Sequence, residues 1–101
     1  MVNPAVTIPK EQLVALCRRW HIRWLALFGS ALTDDFRPDS DIDVLVEFEP
    51  GRTPGLAIID LEDELATLFG GRKVDLVSRK YLNRWIRDRV LAEAEVLYAE
   101  G

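Results

Sequence analysis

The sequence predicts an α/β or α+β domain in which helices flank a small mixed sheet. Strand-like apolar runs and amphipathic segments follow one another in the order helix, strand, strand, helix, strand, helix. The 101 residues are enough for one hydrophobic core and too few for a second, so 1–101 is expected to form a single domain. A hydrophobic content of 49% with 30% charged residues is typical of a globular protein.

The first helix and the first strand are predicted from apolar spacing. Pro9 favours the start of a helix nearby, because proline fits the first helical turn. A nearly continuous apolar run over 22–28 ends at Gly29 and is typical of a central strand. The buried stripe of the helix is expected to consist of apolar residues at helical spacing, namely Leu13, Leu16, Cys17 and Trp20.

The remaining predicted elements are two strands and two helices. Apolar and polar residues alternate from about 41 to 48 and predict a strand. An amphipathic helix is expected over about 55–69, with the glycines at 70–71 as its stop. A short strand over 73–77 then precedes a helix over about 82–98. The positions of that helix predicted to face inward are Ile86, Val90, Ala94 and Leu97.

Composition and charge argue against several classes of protein. A net charge of −4 and an isoelectric point near 4.9 are unlike a general nucleic-acid binder, so no direct nucleic-acid binding is expected. No apolar run approaches the roughly 20 residues that span a bilayer, and 1–4 lacks the features of a signal peptide. Cys17 stands alone, so no internal disulfide forms and a cytoplasmic location is expected.

Two aspartates at the start of the second predicted strand point to a metal–nucleotide site. Side chains alternate along a strand, so Asp41 and Asp43 share one face while the apolar residues around them take the other. Paired carboxylates raise each other's pKa unless a cation neutralises them. Mg²⁺ takes such oxygens together with substrate phosphates. Upstream, the Gly29-Ser30 turn follows an apolar run and can bring backbone N–H groups close to a phosphate.

Asp75 is a third candidate carboxylate. It lies inside the apolar run 74–77, where aspartate is an unfavourable strand residue, and points to the face opposite Val74 and Leu76. If this strand lies beside the strand that begins at Asp41, the three carboxylates converge at one spot. The alternative is that Asp75 lies solvated at a strand edge.

These residues together resemble a known family. Gly29-Ser30, then Asp41 and Asp43, then an apolar-flanked Asp75, resemble the signature of the minimal nucleotidyltransferases of the DNA polymerase β superfamily. The segments 37–48 and 86–98 are similar to the same group, so the resemblance covers nearly all of the chain from Leu13 onward. It implies the nucleotidyltransferase fold, with Asp41, Asp43 and Asp75 as catalytic residues that bind two Mg²⁺ ions. Gly29 and Ser30 would hold the terminal phosphates of ATP.

The resemblance also implies a reaction and a partner. Members of this group are usually encoded beside a HEPN-domain toxin, a ribonuclease, and act as its antitoxin. We therefore expect Mg²⁺-dependent transfer of AMP from ATP to a tyrosine hydroxyl of a cognate HEPN-type toxin, within a hetero-oligomer. Two alternatives stay open. One is a catalytically weak antitoxin that neutralises the toxin by binding, and the other is nucleotidyl transfer to a small molecule such as an aminoglycoside.

One departure from the family pattern lies in the polar connection after the Gly-Ser turn. Relatives commonly carry arginine three positions after the serine, where this chain has Thr33, and often glycine next, where it has Asp34. An arginine there offers a planar fork to phosphate oxygens that threonine lacks. The departure therefore keeps the alternative of weak catalysis open, and Arg37, four residues further along, is a candidate to take over this role.

The segment 72–89 is locally basic. It is interpreted either as a solvated helix face or as a docking surface for an acidic partner or for the nucleotide phosphates. In the second interpretation Tyr81 and Trp85, four residues apart, are its aromatic anchors. The basic residues are Arg72, Lys73, Arg79, Lys80, Arg84, Arg87 and Arg89.

Overall fold

The computed structural model describes residues 6–33, 37 and 39–100 and shows a mixed α+β fold. Single 3-10 turns lie at Gly29–Leu32, Gly55–Ala57 and Arg79–Tyr81. The helices and strands, in chain order, are α1 (Lys10–Arg19), β1 (Ile22–Phe28), β2 (Ile42–Phe48), α2 (Ile58–Leu68), β3 (Val74–Ser78), α3 (Arg84–Glu93) and β4 (Glu95–Ala99).

The strands form one mixed sheet in the order β3-β2-β1-β4. β1 lies in the interior and runs antiparallel to both β2 and β4. β2 and β3 are parallel, and α2 supplies the crossover that a parallel pair requires. The predicted small mixed sheet flanked by helices is confirmed.

The hydrophobic core lies on one face of this sheet. α1 contacts β1 and β4 on that face, while α2 contacts β3. In β2 the core face is formed by Ile42, Val44 and Val46, so the residues between them, including Asp43, face the other side. The core cluster also contains buried residues of both helices and of β1, namely Leu13, Leu16, Cys17, Leu25, Leu27, Leu61 and Leu65.

Most predicted boundaries agree with the structure to within a few residues. β1 spans the predicted range 22–28, and β2 and β3 begin one residue later than predicted. α2 is shorter than predicted, because 55–57 forms a separate 3-10 turn before it. In α1 the predicted stripe is buried except for Trp20, which is half-buried at the helix end.

The predicted C-terminal helix over 82–98 is wrong in its last third. α3 ends at Glu93, the backbone turns to an extended conformation at Ala94, and β4 then pairs with β1. Leu97 packs against the core, but from this strand rather than from a helix. Ile86 does not face inward either, because 48% of its surface is exposed.

Part of the polar connection between β1 and β2 lies outside the described residues. Asp34, the second position at which the chain departs from the family pattern, is among them, together with Asp35, Phe36 and Pro38. Within the described chain, no helix is long and apolar enough to span a membrane.

Cys17 on α1 provides a test of the core. It is fully buried, and this burial raises the pKa of its thiol to about 12. We predict that the folded protein resists thiol reagents at mildly alkaline pH and reacts once urea unfolds it. The unfolded thiol ionises near the ordinary pKa of 9.0, so the free energy of unfolding should fall as the pH rises from about 9 towards 12.

Urea titrations across this pH range measure the effect, and Cys17→Ala, which lacks the titrating group, is the control. The prediction fails if the native thiol reacts as fast as free cysteine.

Candidate active site

Asp43 and Asp75 lie side by side on adjacent parallel strands. Each is the second residue of its strand, and the two are register partners. Register partners in neighbouring strands project to the same face of a sheet. That face is opposite the core, because Val74 is buried and Leu76 packs against the core. The structure therefore brings these two predicted site residues together.

The three predicted carboxylates interact electrostatically. Asp43 is partly buried, whereas Asp41, just before β2, and Asp75 are exposed. Burial raises the pKa of Asp43, and the negative charges of Asp75 and Asp41 raise it further. Asp43 is therefore the carboxylate whose ionised form is disfavoured, and a bound cation would stabilise that form.

Gly29 approaches Asp43 more closely than any other residue type could. Phe28 is the register partner of Asp43, and the next residue turns away from the sheet with φ +71°. A Cβ atom placed on Gly29 would lie 2.4 Å from Oδ2 of Asp43. The glycine backbone thus forms one wall beside the carboxylate.

Ser30 lies in the single 3-10 turn that follows. The residue at the cap position of this turn is Phe28, and no side chain caps it, so Ser30 does not have the purely structural capping role. Its carbonyl oxygen accepts hydrogen bonds from the backbone N–H and the hydroxyl of Thr33, both at 3.0 Å. The half-buried Ser30 side chain lies one residue from the wall formed by Gly29.

Thr33 and Arg37, in the segment after the Gly-Ser turn, lie in different surroundings. The hydroxyl of Thr33 is turned back onto its own 3-10 turn. The backbone of Arg37 forms a turn with Ser40, and its carbonyl oxygen accepts a hydrogen bond from the Arg72 guanidinium at 3.1 Å. Arg37 itself is exposed. Position 33, where the family resemblance implies an arginine, is therefore occupied by a side chain that is hydrogen-bonded within its own turn.

The carboxylates fit Mg²⁺ only together with a substrate. Among the described residues, no three His, Cys, Asp or Glu side chains lie close enough to hold a metal ion by themselves. Mg²⁺ is usually bound through one or two carboxylates plus substrate phosphates and waters, rather than in a cage made only of protein atoms. The pair Asp43 and Asp75, with Asp41 nearby, matches that mode, since burial and the charges of Asp75 and Asp41 disfavour an ionised Asp43 without a cation.

The sequence interpretation missed a cavity on the other side of Gly29. The last turns of α3 approach the end of β1 and enclose about 280 Å³. The apolar residues at 86 and 90 are four apart on one face of α3, and this helical spacing is the signal that could have indicated a shared surface. The cavity is lined by Phe28, Gly29, Ile86, Arg89, Val90 and Glu93.

The locally basic segment does not form a single surface. Lys73 lies with Asp41 around a polar cleft at one end of β2. Arg79 lies at the other end, where it contacts Glu47 at 3.7 Å and stacks over the ring of Trp24 at 4.5 Å. Tyr81 was predicted to lie on the same helix as Trp85. It belongs instead to a 3-10 turn that ends before α3 begins.

Comparison with known proteins identifies the family. The model of the nucleotidyltransferase domain family matches residues 9–97. The chain belongs to this family. This nucleotidyltransferase is 40% identical over 93 residues to the protein adenylyltransferase MntA of Thermococcus cleftensis. The match covers 91% of this chain and 88% of that protein.

Solved structures of nucleotidyltransferases share the fold. One assigned to the minimal nucleotidyltransferases is 40% identical with a TM-score of 0.69, and the match covers 84% of this chain and 85% of that one. A toxin–antitoxin structure with AMP-PNP has a TM-score of 0.70 at 22% identity and covers 91% of this chain and 74% of that one. A structure of a tri-AMPylated HEPN toxin from Shewanella oneidensis in complex with an MNT antitoxin matches with a TM-score of 0.62 at 22% identity. This match covers 89% of this chain and 69% of the matched chain.

Proposed function

We propose that this nucleotidyltransferase transfers AMP from ATP to a tyrosine hydroxyl of a HEPN-type toxin in the cytoplasm, and thereby acts as its antitoxin. One observation carries the proposal. Asp43 and Asp75 are register partners on parallel strands, directly beside the close approach of Gly29 to Asp43. This places two carboxylates and a stretch of exposed backbone around the same small volume.

In this proposal each predicted site residue has a distinct task. Asp41, Asp43 and Asp75 hold Mg²⁺, which when bound neutralises the charge of the triphosphate and of the departing pyrophosphate. Asp75, the exposed carboxylate on the edge strand, faces the incoming tyrosine and accepts the proton of its hydroxyl. The backbone N–H groups of Gly29 and Ser30 and the Ser30 hydroxyl hold the terminal phosphates.

The chemical step follows from these positions. The tyrosine oxygen attacks the α-phosphorus of ATP while the bond from that phosphorus to the bridging oxygen breaks. Pyrophosphate leaves, and the tyrosine carries AMP through a phosphodiester. No protein nucleophile is needed, because positioning and charge stabilisation provide most of the catalysis in such displacements.

The partner is proposed from the relatives. The Thermococcus protein is named a protein adenylyltransferase, and it spans nearly the same length as this chain. The solved toxin–antitoxin structures include a toxin that carries AMP groups. Asp39, Asp41 and Lys73 around the polar cleft are exposed, so this cleft is open to solvent, which supports a protein acceptor that completes the site over a small-molecule acceptor.

Intact-mass spectrometry tests the proposal. The chain is incubated with the HEPN-type protein encoded beside it, ATP and Mg²⁺, and the partner should gain mass in steps of one AMP. Peptide mapping should place the added groups on tyrosine, and replacement of that tyrosine by Phe should prevent the gain. A partner that is protected but never modified would instead support an antitoxin that acts by binding alone.

The binding-only alternative has a specific structural basis. The side chain of Thr33 is hydrogen-bonded back to Ser30, so it offers the phosphates neither charge nor a fork. An antitoxin with weakened ATP binding can still neutralise a toxin by covering it. The mass measurement separates this alternative from the transferase, because only the transferase needs ATP.

We also propose that Trp85 contacts the toxin. Trp85 is 80% exposed on α3, with the guanidinium of Arg84 4.9 Å from its ring centre. α3 itself carries three arginines, Arg84, Arg87 and Arg89, against two acidic residues in a chain of net charge −4, so its surface fits an acidic surface of the partner.

Trp85→Ala is expected to weaken binding of the toxin by roughly 10- to 100-fold, since buried tryptophans are frequent binding hot spots. Surface plasmon resonance against the immobilised toxin measures the change. Leu56→Ala is the matched control, because Leu56 is 91% exposed in a different part of the fold. Equal affinity of both variants and the wild type would remove Trp85 from the interface.

A further inference from the structure

The polar cleft at the start of β2 and β3 encloses about 360 Å³. Asp41 and Lys73 both line it, and the proposed chemistry gives the lysine no task. We infer that Lys73 binds a carboxylate on the surface of the protein acceptor, next to the tyrosine that receives AMP. The inference rests on the proposed function and specifies how its acceptor is recognised.

The sheet places Lys73 on the same face as Asp75. The hydrogen-bond ladder continues one residue before β3, because the N–H of Ile42 donates to the carbonyl oxygen of Lys73 at 2.9 Å. Side chains alternate along an extended chain, and Val74 is buried, so the residues on either side of it share the face opposite the core. Two residues of extended chain span roughly 7 Å. A group that meets Asp75 therefore has its surroundings within reach of the lysine.

The order of the strands places Lys73 on the acceptor side of the site. β3 is an edge strand, followed across the sheet by β2 and then by β1, after which Gly29 forms the wall beside Asp43. Neighbouring strands are about 4.8 Å apart, so two strand spacings, roughly 10 Å, separate the lysine backbone from this wall. The phosphates are proposed to bind at the wall, whereas the tyrosine is proposed to meet Asp75. Lys73 lies on the same strand as Asp75 and is therefore placed for the acceptor.

The charge of Lys73 is not used within the described part of the chain. Lys73 is exposed, and among the residues that the structure describes no hydrogen bond or ion pair holds its ammonium group. Two basic residues nearby are engaged, since Arg72 donates to the carbonyl of Arg37 and Arg79 pairs with Glu47 at 3.7 Å. The ammonium thus offers the acceptor a cation, and its complement is a carboxylate. The arginines of α3 are proposed to meet an acidic partner surface as well, so both contacts require the same charge on the acceptor.

Zero-length crosslinking tests the contact directly. A carbodiimide joins a lysine amine to a carboxylate that touches it, and the reagent is applied to the complex with the HEPN-type protein encoded beside this chain. Mass spectrometry of the digest should show Lys73 joined to an Asp or Glu of the toxin that lies close to the modified tyrosine. If other lysines of the complex couple across the interface and Lys73 does not, the inference is wrong.

Kinetics of AMP transfer separate acceptor recognition from the other steps. Lys73→Gln removes the charge, and we expect it to raise KM for the toxin about fivefold or more, while kcat and KM for ATP stay unchanged. The difference from the wild type should shrink at high salt, because exposed charges are screened. Lys73→Arg keeps the charge and should retain a low KM. Lys10→Gln is the control, because Lys10 is exposed at the start of α1, which covers the opposite face of the sheet.

Each result has a distinct meaning. A wild-type KM for the toxin in Lys73→Gln overturns the inference and leaves the proposed function standing, provided that the wild type transfers AMP. A rise in KM for ATP instead would assign the lysine to the phosphates and also overturns it. Circular dichroism of each variant checks that the fold is kept. If the wild type transfers no AMP to the toxin, the proposed function itself is contradicted.

Discussion

Asp43→Asn is expected to lower the rate of AMP transfer by three or more powers of ten, with no loss of stability. The substitution removes the charge at the most enclosed of the three carboxylates, where Asp75 and Asp41 both act. At about 1.4 kcal/mol per factor of ten, the loss of a metal that stabilises the transition state accounts for an effect on the order of 10³-fold. Rates are measured from the mass gain of the toxin with saturating ATP.

Stability separates this prediction from simple misfolding. Asparagine has the same shape as aspartate and relieves repulsion among the carboxylates, so the melting temperature without metal should stay equal or rise. Asp63→Asn, at an exposed position of α2, is the control for a lost surface charge. Transfer by Asp43→Asn at near the wild-type rate would contradict the assignment of the site.

Gly29→Ala is expected to reduce transfer by about 100-fold or more and to destabilise the fold by about 1–2 kcal/mol. Two effects coincide at this position. A side chain is strained at φ +71°, and its Cβ would lie 2.4 Å from Oδ2 of Asp43, so the carboxylate must move out of its position. Activity is followed as above, and stability is followed by urea unfolding.

Gly51→Ala is a matched control for the backbone strain. Gly51 has nearly the same conformation, with φ +76°, but nothing lies within 4 Å of a Cβ placed there. Both variants should lose stability through the strained backbone, Gly29→Ala at least as much as Gly51→Ala because of its additional clash, whereas only Gly29→Ala should lose activity. If the two variants retain equal activity, the close approach of Gly29 to Asp43 has no role in catalysis.

The sequence predicted those elements whose signals are local. β1 is a nearly continuous apolar run that ends at Gly29, and β2 begins with alternating polar and apolar residues, so both were located to within one residue. In α1 the buried stripe follows directly from helical spacing. In each case the boundary residue and the periodicity are contained in the same short segment.

The C-terminal strand was missed because its stability comes from elsewhere in the fold. Positions 86, 90, 94 and 97 fit a helical period, but the segment 95–99, which contains position 97, also fits a short strand. The extended form is stabilised by pairing of β4 with β1, about 70 residues earlier in the chain. Local periodicity contains no information about such a partner.

The candidate site was only partly predictable for the same reason. Alternation placed Asp75 opposite Val74, but whether it met Asp43 depended on β3 lying beside β2 in the right register. The cavity next to Gly29 depends on the path of α3 across the sheet, which no short segment determines. The shared face of Asp41 and Asp43 within one strand could be predicted from the sequence. The contact between Asp43 and Asp75 could be predicted only on the assumption that β3 lies beside β2.

The parallel pairing of β2 and β3 has a consequence for how the chain can change in length. Inserting one residue between Val74 and Asp75, inside β3, would shift the phase of the strand and turn Asp75 towards the side covered by α2. The segment 50–54 precedes the crossover helix and sets no such phase, so an added residue there is expected to leave Asp43 and Asp75 paired.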